Sequence, residues 1–127
     1  MGILTYILFF LAGVAEAHMD SLQFHFFETP YVKLNHQFWN PAISWKSKYK
    51  NGNSSIGPAF IGSTTIFVFL TDGWHLMKFF RNLFIFLGMF CACIHVDTLI
   101  NTIICVALSR IIYGLSFTAF MKILLRN

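Results

Sequence analysis

The sequence contains few charged residues. Only 11% of its 127 residues are Asp, Glu, Lys or Arg, whereas a soluble domain has about 25%. The hydrophobic fraction is 57% and the mean hydropathy is +0.66. The length suits one domain, but this chain lacks the polar surface that would keep it in water. These values indicate an integral membrane protein whose first partner is the lipid bilayer.

Motifs that would define a chemistry are also scarce. The three cysteines, Cys91, Cys93 and Cys105, lie in apolar runs and form no CxxC pair. This argues against a disulfide framework and suggests buried thiols. The net charge of +4 comes without a nucleic-acid-binding motif, and basic loops beside apolar spans are ordinary in membrane proteins. We therefore expect no nucleic acid among the partners.

The first apolar segment resembles a signal peptide in one respect. ILTYILFFLAGVAEA ends in Ala-Glu-Ala, a pattern like a signal-peptidase site. It is preceded by no positive charge, although a signal peptide has a basic n-region. After Ala17, no Pro or Gly interrupts the chain until Pro30. We therefore expect residues 3–27 to form a retained transmembrane helix that projects beyond the bilayer.

Residues 28–58 differ in kind from the rest of the single membrane domain, 1–127. They contain all three prolines and several turn signals, such as Asn-Gly and Gly-Pro. Tryptophans and lysines alternate there, which is typical of the headgroup region. We predict an ordered interfacial loop, in which Lys46 and Lys48 could alternatively hold a lipid phosphate. The predicted anchors are Trp39, Trp45, Lys46, Lys48 and, beyond the loop, Trp74.

The apolar run of residues 59–95 can be divided in two ways. It is too long for one span, since a helix over its apolar length would reach roughly 50 Å against a hydrocarbon core of about 30 Å. A four-span topology breaks it at Arg81-Asn82. A three-span topology treats residues 59–73 as a partly exposed segment and has one span from about residue 76 to 95. The last helix occupies 98–126 in both.

Charge favours the three-span topology. It places on one side of the membrane Lys33, Lys46, Lys48, Lys50, Lys78, Arg81, Lys122 and Arg126. The four-span topology divides them equally, and the positive-inside rule favours asymmetry. We therefore predict an all-α polytopic membrane protein with three transmembrane helices and an interfacial loop domain. Its N-terminus would lie outside, with residues 28–58 and the C-terminus in the cytoplasm.

Polar residues at helical spacing suggest a candidate site. Asp72 and His75 are three residues apart, and His18 and His25 are seven apart, so each pair shares a helix face. Counted along their helices, His25, Asp72 and His75 lie at similar depth, with His18 a turn or two deeper. Imidazoles and a carboxylate can bind zinc or non-haem iron, relay protons, or simply bond to each other at the interface. All three interpretations stay open.

One intramembrane charge needs a partner. Arg110 lies roughly 18 Å into the last helix, and Glu16 lies roughly 20 Å along the first. In the four-span topology the acid at matching depth would instead be Asp72. Because an unpaired charge in lipid is costly, the three-span topology predicts an ion pair between Glu16 and Arg110.

A family resemblance accompanies these features. The segments FWNPAISWKSKYKNG and GSTTIFVFLTDGWH resemble the core of a family of small bacterial integral membrane proteins. The resemblance extends from His18 to His75, about half the chain, and is most specific in FWNPxxSWK and TDxWH. It implies an ordered membrane protein and brings no assigned activity or catalytic residue.

The sequence favours a small binding or structural subunit that works as a homo-oligomer or with other membrane subunits. One alternative is a metal-dependent membrane enzyme that uses His25, Asp72 and His75 together with His18 or Asp20. Another is a small channel or transport component that would use Glu16 and Arg110 as intramembrane charges.

Overall fold

The protein is built from helices. In the computed structural model, which describes residues 2–126, 78% of the chain is helical and these residues contain no strand. The long helices are α1 (Ile3–His25), α4 (Gly73–His95) and α5 (Leu99–Leu124). Between α1 and α4 lie the one-turn helices α2 (His36–Trp39) and α3 (Pro41–Ser44), together with several 3₁₀ turns.

The three long helices are long and apolar enough to cross a membrane. With 23 residues each, α1 and α4 extend about 35 Å, and the 26 residues of α5 extend about 39 Å. All three lengths cover a hydrocarbon core of about 30 Å. Because α4 is continuous through residues 81 and 82, the predicted all-α fold with three transmembrane helices is confirmed. The chain is a multi-pass membrane protein.

Polar side chains and a proline define the helix boundaries. Asp72 caps α4 by accepting a hydrogen bond from the backbone N–H of His75 at 2.9 Å, and Thr98 caps α5 in the same manner. These caps satisfy backbone donors that lack partners within the helix. At the C-terminal end of α1, a 3₁₀ turn over Phe26–Glu28 is followed by Pro30, where the proline ring disfavours further helix.

Helix α1 lies between the other two. It is antiparallel to α4, since Gly2 adjoins the His95 ring and Phe9 adjoins Gly88. It is parallel to α5, since Gly13 adjoins Ser116 and, further along both helices, Ala17 and Leu124 share one buried core. Extensive contacts join α1 to each neighbour, but α4 and α5 make almost no direct contact with each other. The bundle is therefore a layer with α1 in its centre.

Small residues let α5 approach α1 closely. Ala12, Gly13 and Ala17 are buried along α1. A Cβ atom at Gly13 would overlap the Tyr113 carbonyl oxygen and the Ser116 hydroxyl. Such small-residue contacts are typical of transmembrane helices, where close backbone approach replaces the hydrophobic driving force.

A compact core at one end of the bundle joins the loop to the helices. Its buried members are Ala17, Leu22, Phe26, Tyr31 and Leu124, with Trp39 and Met77 packed against them. The end of α1, the start of α4 and the end of α5 therefore lie together, so Lys48 and Lys122 are at the same end of the bundle. Residue 2 and residues 95–98, at the opposite end, include no lysine or arginine.

The apolar run that precedes α4 is not part of that helix. Residues 59–71, here called the apolar segment, form successive turns and one 3₁₀ turn, Val68–Leu70. The Ser63 hydroxyl ties the segment to the loop by donating to the Lys48 carbonyl at 2.7 Å. Large side chains remain exposed along it: Ile61 at 93%, Ile66 at 76% and Leu70 at 56%. Of the predicted helix 2 region, 59–95, only the part from Gly73 onward is the long helix.

Candidate functional site

A polar cluster connects all three long helices near the middle of the bundle. Arg81 Nη1 donates to Glu16 Oε2 at 2.7 Å, and the Tyr113 hydroxyl donates to the same oxygen at 2.9 Å. The Arg81 and Glu16 side chains are 24% and 23% exposed. Arg81 also donates to the Asn82 side chain. One carboxylate thus joins α1 to α4 and α5; we call Glu16, Arg81 and Tyr113 the Glu16 cluster.

The predicted ion pair between Glu16 and Arg110 is wrong. The cation bound to Glu16 is Arg81. The physical reason is depth: Arg81 is roughly 21 Å from the His95 end of α4, and Glu16 is roughly 20 Å from the adjacent start of α1. The same count, applied to Arg81 instead of Arg110, would have found the pair from sequence.

Arg110 has a different environment. Its guanidinium carbon lies 5.3 Å from the centre of the Tyr113 ring, a cation–π contact. Across residues 2–126, no carboxylate is within ion-pair distance of it. Arg110 is about 17 Å from the start of α5, hence near the middle of the span. It is an intramembrane cation without an anion among the described residues.

Arg110 borders an apolar cleft between α4 and α5. The cleft exists because these two helices flank α1 without meeting, and its volume is about 760 Å³. Phe9 of α1 contributes to its lining, and Ser109, Arg110 and Tyr113 lie at the end nearest the middle of the bundle. The remaining lining residues are Ile85, Met89, Ala92, Cys93, Val96, Thr102, Cys105 and Val106.

Asp72 and His75 form the second polar feature. The His75 ring Nδ1 donates to Asp72 Oδ2 at 2.7 Å, and Asp72 is only 2% exposed. Burial acts to raise the pKa of the Asp72 carboxyl, but hydrogen bonds from the His75 ring, the His75 backbone N–H and the Thr71 hydroxyl outweigh it. The net pKa therefore lies below the usual value. The predicted proximity of these two residues is found in the structure.

The other histidines of the proposed ligand set are elsewhere. His18 is hydrogen-bonded to the Tyr31 hydroxyl, and His25 Nδ1 faces the Glu28 carboxylate at 3.5 Å. Within residues 2–126, no three His, Cys, Asp or Glu side chains come close enough to hold one metal ion. The predicted set of His18, His25, Asp72 and His75 is therefore not assembled, with or without Asp20. Equal depth along two helices does not bring side chains to facing sides.

Tyr31 and Trp39 connect the loop to these polar groups. Their rings stack with centroids 4.9 Å apart, and Trp39 covers Gly73 so closely that a Cβ atom there would overlap its ring. Burial raises the pKa of the Tyr31 hydroxyl to about 12. Trp39, predicted as a lipid anchor, thus packs within the protein.

The remaining predicted anchors are associated with lysines. Lys46 lies over the Trp45 ring at 5.8 Å, and Lys78 lies over the Trp74 ring at 5.0 Å. Lys48 makes the same kind of contact with Tyr49. Aromatic and cationic groups in such pairs suit the headgroup region, so anchoring by these residues stays a prediction.

Comparison with known proteins does not add to these observations. No protein-family model, curated protein or solved structure matches the chain significantly. Three features of the molecule can therefore indicate its function: the Glu16 cluster, the cleft and the apolar segment.

Proposed function

We propose that this protein is a structural or binding subunit of a membrane assembly, and that this assembly is a homo-oligomer. The observation that carries the proposal is the exposed, non-helical apolar segment. Residues 59–71 include no charged side chain, and Ile61, Ile66 and Leu70 are all more than half exposed.

The position of the segment makes it unsuited to exposure to either lipid or water. It ends at the start of α4, about 12 Å along the helix axis from Arg81, and therefore near the edge of the hydrocarbon. Irregular backbone exposed to lipid leaves polar groups without hydrogen bonds. Apolar side chains exposed to water forgo the stabilisation of about 25 cal/mol for each Å² of surface that burial would provide. Contact with another chain would remove both costs.

The composition of the segment also suits an interface between chains. The centres of protein interfaces are depleted in charge and enriched in aromatic residues, and Phe60 and Phe67 are both partly exposed here. Contiguous exposed apolar patches commonly mark sites of association. A second copy of the chain offers the same patch, as a twofold interface requires.

We further propose that the loop end of the bundle faces the cytoplasm and that the N-terminus lies outside. Every lysine and arginine except Arg81 and Arg110 belongs to the loop end or to the tail of α5. Such asymmetry follows the positive-inside rule. In intact cells, a thiol reagent that does not cross the membrane should label neither Lys48→Cys nor Lys122→Cys. Labelling of either variant would refute this orientation.

Disulfide cross-linking between copies tests the homo-oligomer. In a chain whose three native cysteines are replaced by alanine, Ile61→Cys should form cross-linked dimers in membranes. Leu99→Cys is the matched control, because Leu99 is 75% exposed but lies at the opposite end of the bundle. A monomeric mass in nanodiscs, together with equal cross-linking of the two variants, would refute the proposal.

The two alternatives receive less support. A catalytic zinc site has three protein ligands, and the Asp72–His75 pair supplies two. A transport role through paired Glu16 and Arg110 loses its basis because Glu16 is already bound by Arg81 and Tyr113. Arg110 remains, and its cleft suggests a different use.

A further inference from the structure

We propose that the cleft between α4 and α5 is a binding site for a carboxylate amphiphile, whose head is bound by Arg110. A central intramembrane arginine costs at least about 2.5–3.5 kcal/mol on insertion scales, and such residues usually mark function. The Glu16 carboxylate is held by Arg81 and Tyr113, so it does not neutralise Arg110. The missing anion has to come from outside the described chain.

The shape and lining of the cleft fit a small ligand. Its volume of about 760 Å³ lies within the range of small-molecule sites, about 300–1,000 Å³. Most lining residues are apolar; Ser109, Arg110 and Tyr113 lie together at the inner end, and Thr102 lies at the outer end. From Thr102 to Arg110, α5 rises about 12 Å, which sets the length of the apolar body that the cleft can cover. Apolar walls with a few convergent polar groups are typical of such sites.

Two residues beside Arg110, Tyr113 and Ser109, favour the binding of an anion there. The Tyr113 ring holds the guanidinium through the cation–π contact, and its hydroxyl is fixed in turn by Glu16. Ser109 is 3% exposed, lines the cleft, and has a buried hydroxyl oxygen without a hydrogen-bond partner. Unpartnered buried polar groups are uncommon. The Ser109 hydroxyl beside the cleft is therefore a hydrogen-bond donor that no described residue uses.

A carboxylate suits this depth better than a phosphate. A carboxylic acid can enter the hydrocarbon as the neutral acid and ionise beside the arginine, whose planar fork matches both oxygens. A phosphate monoester keeps charge at neutral pH, since its second pKa alone is near 6, and would carry that charge through lipid at high cost. Because the occupant enters from the bilayer, the gap between α4 and α5 serves as its entrance.

The test uses dodecanoate with the full chain in zwitterionic-lipid nanodiscs, with empty nanodiscs subtracted. Dodecanoate should bind saturably, and dodecanol, which has the same tail without the charge, should bind at least about tenfold more weakly. Arg110→Gln should weaken dodecanoate binding by about 10- to 100-fold, the range for a hydrogen bond to a charged group. Equal binding of acid and alcohol, or equal binding by the variant, would overturn the proposal.

A second pair of variants leaves the arginine in place. Ala92→Phe fills the cleft from α4, whereas Ile94→Phe adds a ring to an exposed position outside its lining. Only Ala92→Phe should abolish binding, and a photoreactive dodecanoate should label cleft residues in wild type. No saturable binding by a folded wild-type protein would also overturn the proposal, and would favour an acidic residue of a partner helix as the anion. The site is separate from the apolar segment, so either proposal can fail alone.

Discussion

Removing one member of the Glu16–Arg81 pair should destabilise the bundle strongly. In Arg81→Met, the Glu16 carboxylate keeps only the Tyr113 hydrogen bond near the middle of the membrane. An unpaired central charge costs about 2.5–3.5 kcal/mol, and the lost hydrogen bond adds about 0.6 kcal/mol, the average within membranes. We expect the free energy of unfolding to fall by about 3–4 kcal/mol. Glu16→Gln should cost a similar amount, because it leaves the Arg81 guanidinium without its anion.

The double variant, Glu16→Gln with Arg81→Met, should be much less destabilised than the two single variants suggest together. Both charges are then absent, and replacement of a buried pair by apolar or neutral groups is often close to neutral. Reversible unfolding by SDS in mixed micelles measures all three free energies. The matched control is Glu16→Gln with Arg110→Met, whose coupling should be much smaller, since these side chains are not paired and are connected only through Tyr113. Strong coupling of Glu16 to Arg110, with additivity toward Arg81, would refute the reasoning.

Three further changes test the packing and the polar contacts. Gly13→Ala should lower the free energy of unfolding by about 1–3 kcal/mol through overpacking, whereas Gly114→Ala, where an added methyl meets nothing within 4 Å, should raise it by roughly 0.5–1 kcal/mol; the reverse order would contradict the close helix contact. Because the folded pKa of Asp72 is lowered, its contribution is complete above the usual value of 3.8 and is lost as pH falls through the folded pKa; thermal melts of Asp72→Asn should show a shallower loss of stability in that acid range. The pKa of Tyr31 is raised from 10.0 to about 12, so its contribution is complete below pH 10 and is lost as pH rises toward 12; melts of Tyr31→Phe should lack that alkaline loss, and melts of Tyr49→Phe should retain it.

The sequence predicted the parts of the fold that depend on hydrophobic length and on the distribution of charge. Apolar length left three or four spans open, the asymmetry of the lysines and arginines predicted three, and the Asp72–His75 contact followed from an i, i+3 spacing. The three-span topology predicted a partly exposed segment over residues 59–73, but its turns were not predicted, because its apolar composition resembles that of a span. A signal was present in Gly57 and Gly62, which both adopt positive φ angles and turn the chain away from a helix.

Side-chain pairing between helices was harder to predict. Depth along a helix can be counted from sequence, and the count fits Arg81 and Glu16. The direction in which a side chain leaves its helix depends on how the helices rotate against one another. That rotation is determined here by contacts such as Gly13 against Tyr113, which no spacing rule contains. The predicted metal ligands failed for this reason, since His25 and His75 match in depth and lie against different neighbours.

The order of the Glu16 cluster along the chain has a consequence for synthesis at the ribosome. Glu16 enters the bilayer with the first helix, but Arg81 follows 65 residues later and Tyr113 follows 97 residues later. At about 5–20 residues per second, the carboxylate waits roughly 3–13 s for its cation. During that interval α1 is an isolated helix with an unpaired carboxylate, which the insertion machinery has to keep away from lipid. Translation that stops before α4 should therefore yield a helix that is poorly retained in the membrane.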